Sequence, residues 1–201
     1  MHAAAALMTP TPWETKIPAE YNLGEKKPAR MLVLVEQPAW GSSQVNIRVF
    51  LTQSLESLLE DKVGIKADAF VPYKELADMR ASTGDYASLT PAQIGKALKA
   101  QMVLYVVIDN FNLYGLSDTG YYKGELAARS GLYDTATGQM LWPESGQLKA
   151  VSVGFEVQKG LDEAAMKLAQ STARCLVRYF YNCPKPEFKV GDESMTEEKS
   201  W

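Results

Sequence analysis

Two carboxylates follow predicted strands and are the side chains best placed for catalysis or cation binding. Glu36 comes directly after the apolar run 31–35, and Asp109 lies near the end of the apolar stretch 102–111. The carboxyl ends of neighbouring parallel strands share one edge of a sheet, where ligands of open α/β sheets bind. The pair could therefore act as an acid–base dyad or hold a divalent cation. The simpler alternative is that each carboxylate marks the point where a buried strand emerges into water.

Other common catalytic and cofactor sites are excluded by the residue inventory. The single histidine, His2, lies in the stretch HAAAALM, which we interpret as a tag or the stub of a removed leader. A Ser-His-Asp or Cys-His pair and a histidine-containing metal site are therefore excluded. No glycine-rich phosphate-binding motif follows a predicted strand. We expect no catalytic residue, no cofactor and no metal.

The two cysteines, Cys175 and Cys183, lie near the end of the last predicted helix. In a continuous helix their Cα atoms would be about 12 Å apart, whereas a disulfide needs less than about 7 Å. A disulfide would require the helix to end early, near Tyr179. Otherwise the thiols are buried or have no function, and their spacing does not match that of zinc ligands.

Composition limits the possible partners. The chain has 201 residues, 21 basic and 24 acidic, and a net charge of -3, with no basic cluster of the kind that nucleic acid requires. No apolar run reaches the roughly 18 residues of a membrane-spanning helix. Nucleic acid is therefore not an expected partner, and the membrane is expected only through a lipid anchor.

Aromatic residues in predicted loops suggest a protein-binding patch. Trp40 lies in a Pro-Ala-Trp-Gly loop, and Tyr114, Tyr121 and Tyr122 lie in a second, glycine-rich loop. Tyrosine and tryptophan are enriched at protein interfaces. The alternative is that these rings cover the ends of the sheet.

The chain is predicted to form one domain with two tails. Residues 1–30 contain four prolines and no periodicity, and we interpret them as a flexible tether or tag. Residues 31–183 form a single α/β (α+β) domain. Residues 184–201 are polar and are predicted to be disordered.

The first half of the domain is predicted to form βα units. A strand at 31–35 precedes a helix with apolar residues from Ile47 to Leu59, for which Ser42 and Ser43 are candidate caps and Gly64 the stop. An edge strand at 65–71 and a short helix at 72–79 follow. Thr90-Pro-Ala-Gln93 then predicts a capping box and a helix that leads into the central strand at 102–111.

The second half is predicted to form an antiparallel meander followed by a helix. Residues 112–124 are predicted to form a turn or loop, and the strands are predicted at 125–133, 139–142 and 148–157. The last helix runs from Leu161 to about Tyr179. Its outer face could contact another copy through Met166, Val177 and Phe180. The result is a mixed sheet with helices packed on it.

The segment DTATG predicts a structural hairpin. Asp134 can accept hydrogen bonds from backbone N–H groups two or three residues later, among them that of Thr137, and Gly138 can adopt a positive φ. Trp142 can then lie over the sheet and bury up to about 200 Å². A ligand-binding role for Asp134 is the alternative to this structural role.

The element order and several motifs resemble a group of bacterial envelope lipoproteins. The motifs are the strand MLVLV before a long helix, the segment VPYKEL, the passage IGKALKAQMVLYVVI and the strand pair joined by YDTATGQMLW. The shared fold of that group is similar to the amino-terminal domain of the Tol-system protein TolB and to the curli-secretion protein CsgG. In such proteins D-x-x-T-G followed by an apolar residue and tryptophan is a recurring hairpin, matched here by Asp134, Thr137, Gly138, Leu141 and Trp142.

The resemblance implies a periplasm-facing protein, anchored to the outer membrane by lipid, that assembles or regulates envelope machinery. No lipid-accepting cysteine follows the apolar N-terminal stretch, which leaves the anchor open. We therefore expect a non-enzymatic envelope protein that binds another envelope protein or itself. The alternative is a small-ligand or divalent-metal-binding module that uses the strand-end carboxylates.

Overall fold

A computed structural model describes residues 15–37, 45–117, 120–185 and 187–188. Its strands are β1 (Lys16–Ile17), β2 (Met31–Glu36), β3 (Met102–Gly115), β4 (Tyr121–Asp134), β5 (Met140–Trp142), β6 (Lys149–Lys159) and β7 (Cys183–Pro184). Its α-helices are α1 (Leu23–Lys26), α2 (Ile47–Leu58), α3 (Tyr73–Ser82), α4 (Pro91–Ala97) and α5 (Leu161–Val177).

The strands of the main sheet follow the order β2-β3-β4-β5, and β6 pairs with β4 beside β5. β2 and β3 are parallel, whereas the remaining pairs are antiparallel. The prediction of a mixed sheet with an antiparallel meander and packed helices is confirmed. Strands β1 and β7 form a separate two-stranded antiparallel sheet.

Helices cover both faces of β2 and of the first half of β3. On one face, which we call the inner face, Val33, Val106 and Ile108 belong to the core that contains α2 and α5. On the opposite, outer face, Leu32 and Val103 pack with residues of α3 and α4. All five residues are at most 2% exposed. This burial on both sides explains the unbroken apolar sequence of these strands.

Asn46, rather than Ser42 or Ser43, caps helix α2. Its side-chain oxygen accepts a hydrogen bond of 3.4 Å from the backbone N–H of Val49, because Asn46 directly precedes the first helical residue. The two serines lie outside the described residues. A π-helical turn at Leu59–Val63 extends the helix, and Gly64 ends it with φ of 79°, at the predicted stop.

The predicted edge strand at 65–71 is wrong. The segment contains one 3₁₀ turn, Ala67–Ala69, and a single parallel bridge between Phe70 and Met31. The N–H of Val71 donates to the carbonyl of Met31 at 2.9 Å. Pro72 comes next and has no N–H with which to continue a ladder, so the pairing stops after one bridge.

The predicted capping box at the start of α4 is confirmed. The backbone N–H of Thr90 donates to Gln93 Oε1 at 2.8 Å, and the N–H of Gln93 donates to Thr90 Oγ1 at 3.3 Å. Both bonds satisfy amides near the helix start that have no partner within the helix. Pro91 occupies the first helical position.

The hairpin of β3 and β4 is longer than the sequence indicated. Its register runs from the pair Met102 and Asp134 to the pair Gly115 and Tyr122, with an irregularity beside Asp109. Most of the loop predicted at 112–124 is therefore strand. β6 also pairs along β4 as far as Tyr121, and this third strand supports residues whose own β propensity is low.

The described part of the predicted tether, residues 15–30, packs against the domain. Leu23 is fully buried in the main core. The N–H of Tyr21 donates to the carbonyl of Tyr179 at 3.2 Å, and β1 pairs with β7. The N-terminal segment therefore lies beside the C-terminal end of α5.

Helix α5 covers β4 and β6 on the inner face. Val177 and Phe180 are 1% and 0% exposed, so the prediction that they form an outer contact surface is wrong. After the helix the chain turns, and Phe180 packs on Trp142 in the core. Met166 remains exposed. In the part of the chain that the structure describes, no helix has both the length and the apolar character that a bilayer crossing needs.

Candidate partner-binding surface

The tip of the β3–β4 hairpin carries three large hydrophobic side chains that face solvent. Tyr114, Leu116 and Tyr121 are 53%, 38% and 40% exposed. We call these three residues the hairpin-tip cluster. Over the described ranges the other large hydrophobic side chains with such exposure are Tyr73 and Met166, which lie on separate helices. The exposed hydrophobic side chains are therefore concentrated at one turn.

The strand register places the two tyrosines of the cluster on the same face of the sheet. Tyr114 pairs with Lys123, and side chains of paired residues point to the same side. Tyr121 shares that side with Lys123 because the two are two residues apart in one strand. The N–H of Leu116 donates to the carbonyl of Tyr121 at 2.8 Å, so the hydrogen bonding continues to the turn.

Sequence reasoning found two of the three residues. Tyr122 is half-buried and pairs with Gly115, so alternation places it on the inner face, apart from the cluster. Trp40 lies outside the described residues. Leu116 was missed, although its position two residues after Tyr114 was a signal that both belong to one face of a strand.

A polar network lies beside the cluster on the same outer face. Glu125 Oε1 accepts hydrogen bonds from the amide nitrogens of Asn110 and Asn112 at 2.8 and 2.6 Å. The side-chain nitrogen of Asn112 also donates to Asn110 Oδ1 at 2.9 Å. Asn112 and Glu125 are directly paired across the strands. The network holds the polar side chains of this part of the face in fixed positions.

The opposite face of the hairpin is anchored to α5. A Cβ atom added at Gly124 would lie 2.8 Å from Leu113 Cδ2 and 2.9 Å from Leu168 Cδ1, which shows how closely the helix approaches. Leu126 and Ala128 on the same face are at most 1% exposed. The hairpin is thus packed on its inner side, whereas Tyr114 and Tyr121 on the outer side of its tip are 53% and 40% exposed.

This arrangement suits recognition of another protein. Tyrosine combines a large apolar ring with a hydroxyl group that can form a hydrogen bond, and such side chains dominate binding energies at interfaces. A hairpin that is already packed on one side loses little further conformational freedom on binding. The cluster and the adjacent amides offer apolar anchors with a polar surround.

The strand-end carboxylates are each bound by an arginine. Glu36 Oε1 accepts hydrogen bonds from Arg80 Nη2 at 3.0 Å and from the hydroxyl of Tyr86 at 2.7 Å. Asp109 accepts two hydrogen bonds of 2.8 Å from the guanidinium of Arg129. The two groups thus lie in separate ion pairs, and a shared cation or acid–base site would first require both pairs to break.

The site around Glu36 also affects the protonation of Tyr86. Burial, together with the hydrogen bond to Glu36, raises the pKa of Tyr86 to about 12, so this phenol stays protonated as a donor.

Among the residues with described positions, no group of three or more metal-binding side chains is present. The geometry favours a structural role for these carboxylates over the alternative of a ligand-binding module.

The hairpin between β4 and β5 has the bonding that its sequence suggests. Asp134 Oδ1 accepts hydrogen bonds from the backbone N–H of Thr137 at 2.7 Å and from its hydroxyl at 2.8 Å. These bonds lower the pKa of Asp134, because they stabilise the charged carboxylate. Gly138 has φ of 75°. Asp134 therefore uses one carboxylate oxygen to hold its own turn.

Both cysteines are buried, and no disulfide joins them. Burial raises the pKa of the Cys183 thiol, which donates a hydrogen bond to the hydroxyl of Tyr181 at 3.4 Å. Because the thiolate is the reactive form, a protonated buried thiol is a poor nucleophile. The outcome corresponds to the alternative of buried thiols rather than a bridge.

Comparison with known proteins gives a distant likeness in structure. No protein-family model matches the chain, and no curated protein matches it either. Lipoprotein GNA1162 from Neisseria meningitidis is 18% identical over 75% of this chain and 99% of that chain, with a TM-score of 0.47. A PelC dodecamer from Paraburkholderia phytofirmans gives 12% identity over 84% of this chain and 95% of that chain, with a TM-score of 0.43.

The LpoB C-terminal domain from Escherichia coli is 18% identical over 67% of this chain and 95% of that chain, with a TM-score of 0.34. A bacterial lipoprotein is thus among the solved structures that this chain resembles. TM-scores below 0.5 do not establish a shared function, so function depends on the geometry of the chain itself. The narrower resemblance to TolB and CsgG stays a prediction.

Proposed function

We propose that the protein is a non-enzymatic component of the bacterial cell envelope that faces the periplasm and binds another envelope protein, or a second copy of itself, through the hairpin-tip cluster. The observation that carries this proposal is the concentration of Tyr114, Leu116 and Tyr121 at one turn, where each residue is 38–53% exposed. A partner that covers this cluster removes apolar surface from water, which stabilises the complex.

The envelope location is supported by the sequence resemblance to envelope lipoproteins. Its most specific part is the hairpin of Asp134, Thr137, Gly138 and Trp142, whose turn bonds are described above. In the proposed native protein a lipid anchor ties the N-terminus to the outer membrane, and the domain presents the hairpin-tip cluster to a protein that assembles or regulates envelope machinery.

Site-directed photo-crosslinking in the native host tests the binding surface. A photoreactive benzoylphenylalanine at position 114 or 121 is expected to capture a discrete partner, because both positions lie at the proposed contact. The same residue at position 73 is the matched control, since Tyr73 is 36% exposed but lies on α3. Identical crosslinked species from all three positions would contradict the proposal.

A double substitution then tests the energy of the contact. Tyr114→Ser with Tyr121→Ser is expected to weaken binding to the captured partner by at least about 2 kcal/mol, as for interface hot spots. Tyr73→Ser should leave the affinity unchanged. Retention of wild-type affinity by the double variant would refute the role of the cluster.

Cell fractionation and lipid labelling test the location separately. The full-length product of the native gene is expected in the membrane fraction and to incorporate an alkyne-bearing fatty acid. A product that remains in the cytosol would refute the envelope proposal, whatever the crosslinking result.

A further inference from the structure

Lys123 lies beside both tyrosines of the hairpin-tip cluster. It pairs with Tyr114 across β3 and β4 and follows Tyr121 by two residues in β4, so the three side chains point to the outer face. Paired residues have Cβ atoms about 4.5–5.5 Å apart, and residues two positions apart in a strand are separated by about 7 Å. All three residues are exposed. A surface that covers both rings therefore also contacts the side chain of Lys123.

The charge of Lys123 is available to a partner. Arg129, on the same face of β4, donates two hydrogen bonds to Asp109. In contrast, Lys123 forms no ion pair with any residue whose position the structure describes. The acidic residue closest to it along β4 is Glu125, and Oε1 of that carboxylate accepts hydrogen bonds from two asparagine amides. The outer face of the tip therefore presents a positive charge beside two aromatic rings.

A protein that covers the cluster removes water from around this ammonium group. Removing a charged group from water is unfavourable unless an opposite charge and hydrogen bonds compensate for it. A carboxylate in the covering surface supplies both, because it attracts the ammonium and accepts its hydrogen bonds. The same partner must therefore offer apolar surface to the rings and an acidic side chain to Lys123.

A second copy of the chain, bound with twofold symmetry, does not supply this carboxylate. In a twofold contact the same patch of surface faces itself. Because Lys123 lies within the cluster, the ammonium groups of the two copies would come close together and repel each other. Charge complementarity thus favours a different protein over a symmetric pair of this chain.

We propose that the hairpin-tip cluster binds a different protein, in which an acidic side chain pairs with Lys123 and the surrounding apolar surface receives Tyr114 and Tyr121. The proposal rests on the function proposed for the cluster above and names the chemistry of its partner. The acidic side chain sets which protein binds, and the two rings provide most of the contact area.

Calorimetric titration of the full chain with the partner captured at position 121 tests the charge contact. Lys123→Gln is expected to weaken binding by at least about fivefold and Lys123→Glu by at least about twentyfold, because reversal adds repulsion to the lost attraction. Lys123→Arg keeps the charge and should stay within about twofold of the wild type. Lys74→Glu, on an exposed lysine of α3, changes the net charge as Lys123→Glu does and should have no effect.

The outcomes separate this inference from the proposed function. Wild-type affinity of Lys123→Glu, combined with weak binding of Tyr114→Ser with Tyr121→Ser, would overturn the acidic contact and leave the proposed function intact. Equal weakening by Lys123→Glu and Lys74→Glu would assign the effect to net charge and also overturn the contact. Capture of no discrete partner at positions 114 and 121 would overturn both proposals.

A charge exchange identifies the acidic residue of the partner. The partner peptide crosslinked to position 121 is expected to contain Asp or Glu, and its replacement by lysine should restore at least about tenfold of the affinity lost in Lys123→Glu. A crosslinked peptide without an acidic residue, or the absence of any rescue, would overturn the proposal.

Sedimentation velocity of the full chain tests the exclusion of a second copy. The wild type and the variant Tyr114→Ser with Tyr121→Ser are expected to show the same association state over a hundredfold range of concentration. A lower association state in the variant would show that the cluster binds another copy and would overturn the proposal.

Discussion

The indole Nε1 of Trp142 donates a hydrogen bond of 2.9 Å to a carboxylate oxygen of Glu20, 122 positions earlier in the chain. The other oxygen of Glu20 accepts a hydrogen bond of 3.0 Å from Lys149 Nζ. Trp142 is 1% exposed and packs on Phe180 with ring centroids 4.8 Å apart. The N-terminal segment thus supplies the polar partner of a core tryptophan.

Replacement of Glu20 by alanine is expected to destabilise the protein by about 1–3 kcal/mol, because the buried indole N–H loses its acceptor. Glu20→Gln keeps an acceptor and removes only the charge that pairs with Lys149. Since that ion pair is partly exposed, Glu20→Gln should cost no more than about 1 kcal/mol. Urea denaturation measures both, and equal losses in the two variants would contradict the role of the indole bond.

The ion pairs of the strand-end carboxylates are expected to differ in strength. The side chains of Arg80 and Glu36 are 16% and 27% exposed, whereas those of Arg129 and Asp109 are 49% and 35% exposed. Arg80→Met should cost about 1–3 kcal/mol, because it leaves a half-buried carboxylate with fewer donors. Arg129→Met should cost about 0–1 kcal/mol, as for exposed pairs. Denaturation midpoints that rank the two variants in reverse would be inconsistent with this view.

Gly95 is required by packing rather than by backbone conformation. A Cβ atom at this position would collide with Val103 Cγ2 and lie 2.7 Å from Thr135 Cγ2, in a region where α4 meets β3. Gly95→Ala is therefore expected to destabilise by about 1–3 kcal/mol despite the better helix propensity of alanine. Gly84→Ala is the control, since nothing lies within 4 Å of its added Cβ. A neutral Gly95→Ala in thermal unfolding would contradict this contact.

Stability should depend on pH through Glu56. Burial raises the pKa of this carboxyl in α2 to about 7, whereas in the unfolded chain it is about 4.3. Between these values the folded state binds more protons than the unfolded state, so stability falls as pH rises. Glu56→Gln removes this loss. It should match the wild type near pH 4 and exceed it by about 1–2 kcal/mol above pH 7, allowing for partial exposure.

Glu60→Gln is the matched control for Glu56, because Glu60 lies one turn later and is exposed. Urea unfolding at pH 4 and pH 8 measures both variants. A constant difference between Glu56→Gln and the wild type across this range would rule out the raised pKa.

Local features of the fold could be predicted from sequence because their bonds join residues three or four positions apart. The capping box of Thr90 and Gln93, the stop at Gly64 and the turn held by Asp134 all depend on such short-range geometry. The central strand and the amphipathic last helix could also be predicted from the sequence, since the pattern of hydrophobic residues reflects which of them are buried.

Features that depend on distant partners could not be predicted in this way. The segment 65–71 alternates like a strand, yet its pairing is limited to one bridge with Met31, because Pro72 comes next and has no N–H to continue the ladder. Val177 and Phe180 were predicted to lie on an outer face, yet Val177 is buried at the end of α5 and Phe180, after the helix, is buried in the core. The Asn46 cap of α2 is an exception, because its bond to Val49 spans only three residues and yet the sequence pattern favoured Ser42 and Ser43.

The sequence by itself determined the class of the fold and the main helices and strands. The tertiary structure decided that Tyr114, Leu116 and Tyr121 meet at one exposed turn and that Glu36 and Asp109 pair with separate arginines. The physical reason is that hydrophobic periodicity and helix capping involve residues a few positions apart, whereas the strand register and the choice of ion-pair partner depend on how the whole chain packs.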